Sequence, residues 1–390
     1  MRVPSFHAFR SGRASVVVVL KQLWSWGVNT EGRLGLGDVN IRSSPVQVGT
    51  LTDWSSISGG NPSFATAIKT DGTLWSWGLN SDGRLGLGDA TARSSPVQVG
   101  ALTAWSKVFS GNSNALAIKT DGTLWAWGLN SDGRLGLGDV TNRSSPVQVG
   151  ALTTWSVISA SSHSLAVKTD GTLWAWGANT VGQCGLGNTL TVGRSSPVQV
   201  GTLTTWASVV AGRGVSLAVK TDGTLWAWGA HAGLGQGNTT NRSSPVQVGA
   251  LTTWSSKISA SGTATTFAHV LAVKTDGTLW SWGNNSRGQL GLNDQTSRSS
   301  PVQVGALTTW DVCSCANSHS YGFGISAAIK TNGTLWTWGS GEFGCLGLGN
   351  GDFSLTISPV QVGALTTWIS VSASGNEARS YRGAMLALRS

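Results

Sequence analysis

The string Leu-Trp-Ser/Ala/Thr-Trp-Gly occurs seven times, beginning at Leu23, Leu74, Leu124, Leu173, Leu225, Leu279 and Leu335. Successive first tryptophans are 51, 50, 49, 52, 54 and 56 residues apart. A period of this length marks a chain of supersecondary units, each of which buries its apolar face against the next. One further tryptophan follows each pair, at Trp54, Trp105, Trp155, Trp206, Trp254, Trp310 and Trp368, so the three sets account for all 21 tryptophans. Most indoles are expected in the core. Burying one removes roughly 150–250 Å² from water, an upper bound of about 4–6 kcal/mol at about 25 cal/mol/Å².

Within one copy the signals are those of short strands. Residues 115–119 are a compact apolar run, and Asp121-Gly122 supplies the residues that accept the positive φ of a two-residue hairpin. From Leu124 the chain alternates, so Trp125 and Trp127 share one face of a strand. Residues 130–139 form a Gly-rich loop, residues 145–149 are a third strand with Pro146 near its start, and a fourth runs from about Trp155 to Ser159. Four short antiparallel strands per copy favour an all-β propeller of seven four-stranded blades over a solenoid, because each small sheet must cover both of its faces.

The Trp-x-Trp-Gly strand, the Gly-Leu-Asn-Ser-Asp-Gly-Arg-Leu-Gly-Leu-Gly loop at 128–138 and the Pro-Val-Gln-Val strand after it resemble the repeat of the regulator of chromosome condensation family, in the Trp-rich form of bacterial and phage sequences. The resemblance runs from residue 23 to about 390 and implies a seven-bladed propeller. The chromatin and GTPase-exchange activities of that family's best-known member find little support here, because the copies are nearly uniform and no distinct exchange loop stands out. His163 matches the position of a structural histidine in the family.

The two ends of the chain show how the ring closes. Before Trp24 only Lys21-Gln22-Leu23 stands where other copies carry Lys-Thr-Asp/Asn-Gly-Thr, and residues 384–389 look like the strand that precedes such a turn but have no Trp pair after them. The carboxyl-terminal strand is therefore expected to pair with the first blade, leaving no exposed sheet edge. On this division residues 21–390 are the propeller, and residues 1–20 are a basic arm or an extra strand.

Catalysis finds few raw materials. The chain has five His, and the recurring Asp71, Asp121, Asp170, Asp222 and Asp276 are explained by their turns. No Ser/His/Asp set, paired carboxylate or phosphate-binding Gly-x4-Gly-Lys-Ser/Thr pattern is separable from the repeat. Cys313, Cys315 and His319 lack a fourth ligand and match no zinc spacing. The chain is read as non-enzymatic, with no cofactor and no metal. The formal net charge is +9, but residues 1–20 carry Arg2, Arg10 and Arg13 unopposed, and Arg42, Arg93, Arg143, Arg194, Arg242 and Arg298 spread charge around the ring. A nucleic-acid groove concentrates its cations, so these arginines are expected to brace loops. No apolar run exceeds five residues, so neither a membrane span nor a signal peptide is expected.

Departures from uniformity locate the candidate site. From the third tryptophan of each copy to the Lys or Arg that ends the next strand there are 15, 14, 13, 14, 20, 20 and 21 residues. The three long connections are consecutive and are expected to run from an outer strand to the next inner strand, opening on one face. They carry Phe267, His269, His319, Tyr321, Phe323, Asn376, Glu377, Arg379, Tyr381 and Arg382, a mixture of aromatic, Arg and polar residues suited to recognition. The resulting expectation is a scaffold that contacts other proteins through this sector, as a component of a virion or surface appendage facing virion proteins or a host receptor. The alternatives are a soluble protein-binding regulator, of inhibitor or exchange-factor type, and a glycan-binding lectin.

Overall fold

The computed structural model describes residues 20–61, 63–230, 233–262, 267–317, 322–349, 355–375 and 383–390. Seven four-stranded antiparallel sheets surround a central channel as the blades of a propeller. Blade II spans residues 54–98, III 105–148, IV 155–199, V 206–247, VI 254–303 and VII 310–361. Blade I is composite. Its first two strands are Trp368–Ser374 and Ala384–Arg389, and its last two are Gln22–Gly27 and Arg42–Gln47.

This is the closure expected from the two chain ends. Trp24 pairs with Ala387 and Trp26 with Met385 across the junction. The ends also fill both limbs of the absent turn: the Trp54 amide donates to Lys21 as Trp105 does to Gly72, and the Ser390 amide donates to Thr367 as Thr120 does to Ala104. Gln22 takes over from the turn threonine and accepts the Trp24 Nε1 hydrogen bond at 3.3 Å.

One assignment is corrected. The strand opening with the third tryptophan does not end a unit on the outside; it begins the next blade on the inside. Each sheet runs in chain order from this strand outward, and residues of all seven such strands line the channel. A repeat fixes cyclic order but not phase, so the sequence alone does not say which strand of the cycle faces the axis. The long connections therefore join the first and second strands of blades VI, VII and I, not one blade to the next.

The tryptophans hold the blades together. The second indole of every pair donates across the junction to a backbone carbonyl of the preceding blade's Gly-rich loop: Trp77 to Arg33, Trp127 to Arg84, Trp176 to Arg134, Trp228 to Gln183, Trp282 to Gly233, Trp338 to Gln289 and, closing the ring, Trp26 to Cys345. The third tryptophan packs edge-on against the other two of its blade, as Trp105 does against Trp125 with centroids 6.0 Å apart. A cation caps the cluster, with Lys119 Nζ 3.6 Å from the Trp125 ring centroid.

The hairpin turns and the linkers between blades make up one face, called lower here. Gly122 has φ +78° in such a turn, and a Cβ there would sit 2.0 Å from the Thr153 carbonyl of the linker. The Gly-rich loops and the connections between first and second strands make up the upper face, where the Leu79 amide donates to Ser63 at 2.9 Å.

Candidate functional site

Most polar residues of the repeat are engaged by its own architecture. In four blades the arginine before Ser-Ser-Pro braces its loop: Arg93 donates to the Asp89 carboxylate at 2.6 Å and to the Thr91 carbonyl at 2.7 Å, and Arg42, Arg143 and Arg298 repeat the arrangement. The loop carboxylates Asp38, Asp89, Asp139 and Asp294 are held below the usual range, chiefly by a hydrogen bond from a backbone amide two residues on. Turn residues such as Asp121 are lowered by the hydroxyl and amide of the following threonine, here Thr123. These charges are neutralised locally, which leaves no cationic track for a polyanion in these loops.

Cys313 and Cys315 lie on the first strand of blade VII with their sulfurs against blade VI, near the Lys257 carbonyl and the Ser259 hydroxyl. Burial raises both thiols, Cys315 to about 11, so they stay protonated. Among the described residues no group of three or more His, Cys, Asp or Glu is placed to hold a metal. His319 lies outside the described residues.

The Gly-rich loops of the upper face differ from blade to blade, and blade IV also departs from the repeat, with Val181 and Gln183. In blades II and III the Gly-rich loop contains Asp82 paired with Arg84 and Asp132 paired with Arg134. The corresponding residues in blade VI are Arg287 and Gln289, and in blade VII Phe343 and Cys345. Arg287 stacks on Phe323 of blade VII, its guanidinium 4.1 Å from the ring centroid. Gln289 Nε2 donates to the Gly322 carbonyl at 3.1 Å, tying the loop of blade VI to the long connection of blade VII. Gly322 has φ +70°, and a Cβ there would meet Phe267 at 2.8 Å. Phe343 has φ 56°, a turn conformation shared by Glu31 (φ 67°) at the corresponding position of blade I. Beside it, burial raises Glu342, with the Arg287 charge acting the other way.

Of the ten residues singled out from the sequence, Phe267 and Phe323 both lie in this sector, Phe267 beside Gly322 and Phe323 beside Arg287. Phe267 is half-buried and Phe323 lies buried under Arg287. His269 is corrected: it is fully buried between blades, bonded to Ser261 at 2.8 Å and to Ser326 at 3.0 Å, and cannot touch a partner. Burial lowers it to about 4, as burial and the Arg134 charge lower His163 to about 3. His319, Tyr321, Asn376, Glu377, Arg379, Tyr381 and Arg382 lie outside the described residues. Arg287, Glu342 and Phe343 were missed. Their signal was substitution at a position that repeats elsewhere, which a search for long loops passes over.

The sector borders the upper mouth of the channel, which encloses about 280 Å³. Serine hydroxyls stitch the inner strands together at five of seven junctions, as Ser58 accepts the Ser110 amide at 2.8 Å, while Phe109 and Val210 stand at the other two. At the mouth, Asn112 and Asn317 are buried with side-chain oxygens that accept no hydrogen bond from the described residues.

The sequence model described as regulator of chromosome condensation (RCC1) repeat matches residues 22–63, 71–118, 121–167, 170–219, 276–322 and 332–376, well over half of the chain. The chain belongs to this family. The stretch 220–275 between matches holds the shortened Gly-rich loop of blade V and the long connection of blade VI. Among curated relatives, the Protein RCC2 homolog of Danio rerio is 36% identical over 85 residues, 21% of this chain and 16% of that protein. The E3 ubiquitin-protein ligase HERC2 of Homo sapiens is 35% identical over 99 residues, 25% of this chain and 2% of that protein. The mitochondrial RCC1 domain-containing protein RUG3 of Arabidopsis thaliana is 29% identical over 175 residues, 45% of this chain and 38% of that protein. These matches span well under half the length of the relatives.

Among solved structures, human WBSCR16 superposes with a TM-score of 0.77 at 20% identity, covering 95% of this chain and 98% of that one. Yeast RCC1 (Prp20), solved with Kap60 bound, gives 0.76 at 17% identity, covering 100% and 97%. Prp20p of Saccharomyces cerevisiae was also described for its binding to Gsp1p and histones. At these identities the likeness shows the fold. Among the described residues, no helix is long and apolar enough to cross a membrane.

Proposed function

We propose that this propeller is a non-catalytic, protein-binding regulator that engages its partner through the upper-face sector of blades VI, VII and I. One observation carries the reading: where blades II and III pair an Asp with an Arg, blades VI and VII carry Arg287 and Phe343, and both of these blades also have a lengthened connection. A rigid ring presenting one distinctive sector is suited to recognition, because binding then orders little beyond the loops. The relatives give the reading a second support, since Prp20p is described as binding Gsp1p and histones and yeast RCC1 was solved with Kap60. They favour a regulator over the virion or appendage component expected first.

The proposed contacts are Arg287, Phe343 and Phe267 with Tyr321, Tyr381, Asn376, Glu377, Arg379 and Arg382. Affinity capture with the full chain and with a Tyr321→Ala, Tyr381→Ala variant tests this. Loss of a stoichiometric protein partner in the variant is the expected result, and an unchanged partner set removes the sector from the account. Release of guanine nucleotide from a captured GTPase would narrow the regulator to an exchange factor. Fixed-stoichiometry recovery in a particle would restore the scaffold reading, and capture of glycans instead of protein would favour a lectin.

A further inference from the structure

The lower face carries one exposed leucine per blade junction: Leu51, Leu102, Leu152, Leu203, Leu251, Leu307 and Leu365. Beside Leu51, between the outer strands of blades I and II, lies an apolar groove of about 420 Å³ lined by Leu36, Val46, Leu51, Trp54, Trp75 and Pro96. Grooves of the same build lie beside Leu251 and Leu307.

The groove beside Leu51 differs from the others in what stands next to it. The described chain begins at Leu20, which is exposed, and Lys21, whose amide donates to the Thr52 carbonyl at 2.7 Å and whose carbonyl accepts from Trp54. Lys21 therefore runs along the linker that carries Leu51. Immediately before Leu20 come Val16, Val17, Val18 and Val19. At roughly 3.3–3.6 Å per residue, this run stays within about 18 Å of Lys21, which excludes the far side of the ring. A β-branched apolar run left in water is an aggregation hazard, and this groove is lined in part by Leu51 of the linker that Lys21 runs along.

We propose that Val16–Val19 of the same chain seat in the groove formed by Leu51, Trp54, Trp75 and Pro96, so that the amino-terminal arm covers one of a set of equivalent grooves between the outer strands of neighbouring blades and leaves the others open. The proposal concerns the outer edge of blades I and II and stands independently of the partner sector.

Hydrogen exchange of the full chain, followed by mass spectrometry at two protein concentrations, tests it with Leu51→Asp and the equivalent Leu152→Asp. Both leucines are exposed, so neither change threatens folding. The expected result is exchange of amides 16–19 at least about tenfold slower than in an unstructured peptide, lost in Leu51→Asp and retained in Leu152→Asp. Unprotected amides in the full chain overturn the proposal, as does protection that survives Leu51→Asp or falls equally in both variants. Protection that grows with concentration also overturns it, by assigning the groove to a second copy.

Discussion

In blade III the indole of Trp127 donates to the Arg84 carbonyl, and in blade VII the indole of Trp338 donates to Gln289; in both, a lysine caps the first tryptophan and a tight turn closes the lower face. Above these matching interiors the two blades diverge. The loop of blade III pairs Asp132 with Arg134, whereas blade VII carries Phe343 and Glu342 beside Arg287 of blade VI. The comparison separates two demands on one repeat. The interior must match from blade to blade because each loop carbonyl serves the next indole, while the upper rim is free to vary wherever it need not neutralise itself.

The largest test of equal interiors is Trp127→Ala against Trp338→Ala. Each removes a buried indole and orphans a carbonyl, and each is expected to cost about 3–5 kcal/mol in chemical denaturation. A large cost in only one blade would break the comparison. Next come the buried histidines. Folded His163 and His269 stay neutral down to about pH 3 and about pH 4, whereas in the unfolded chain they protonate below about 6.5. The unfolded state thus binds more protons in that window, and stability falls as pH falls, by about 1.4 kcal/mol per pH unit for each histidine. His269→Val copies the residue that blade V carries as Val215, and denaturation at pH 6 and pH 4.5 should show its share of the slope removed.

Smaller again are Gly122→Ala and Gly333→Ala. Both force a Cβ to 2.0 Å from a linker carbonyl at positive φ, and both are expected to cost at least about 1–3 kcal/mol, read as matched shifts in denaturation midpoint. A surface change closes the series. Arg287→Ala should change stability by less than about 1 kcal/mol, so a loss of binding in that variant is not a folding effect.

The architecture was legible because Trp24-x-Trp26-Gly27 and its six relatives keep their spacing, and because the missing turn before Trp24 is complemented by residues 384–389. The radial order was not. Trp155 reads equally well as the end of one copy or the start of the next, and only the position of its strand against the channel decides. Within the candidate site, Phe323 was found through loop length, but Arg287 lies in a loop as long as that of blade III, and both Arg287 and Phe343 become conspicuous only against Asp132 in register. His269 misled for the opposite reason: it closes a long connection in sequence, yet it starts a buried strand, where Ser261 and Ser326 satisfy its ring.

The most direct measurement of the central claim is the affinity of a captured partner for the full chain, Arg287→Ala and Asp132→Ala by titration. The account predicts weakening of about tenfold or more for Arg287→Ala and less than about twofold for Asp132→Ala. Equal losses, or none in either, would contradict it.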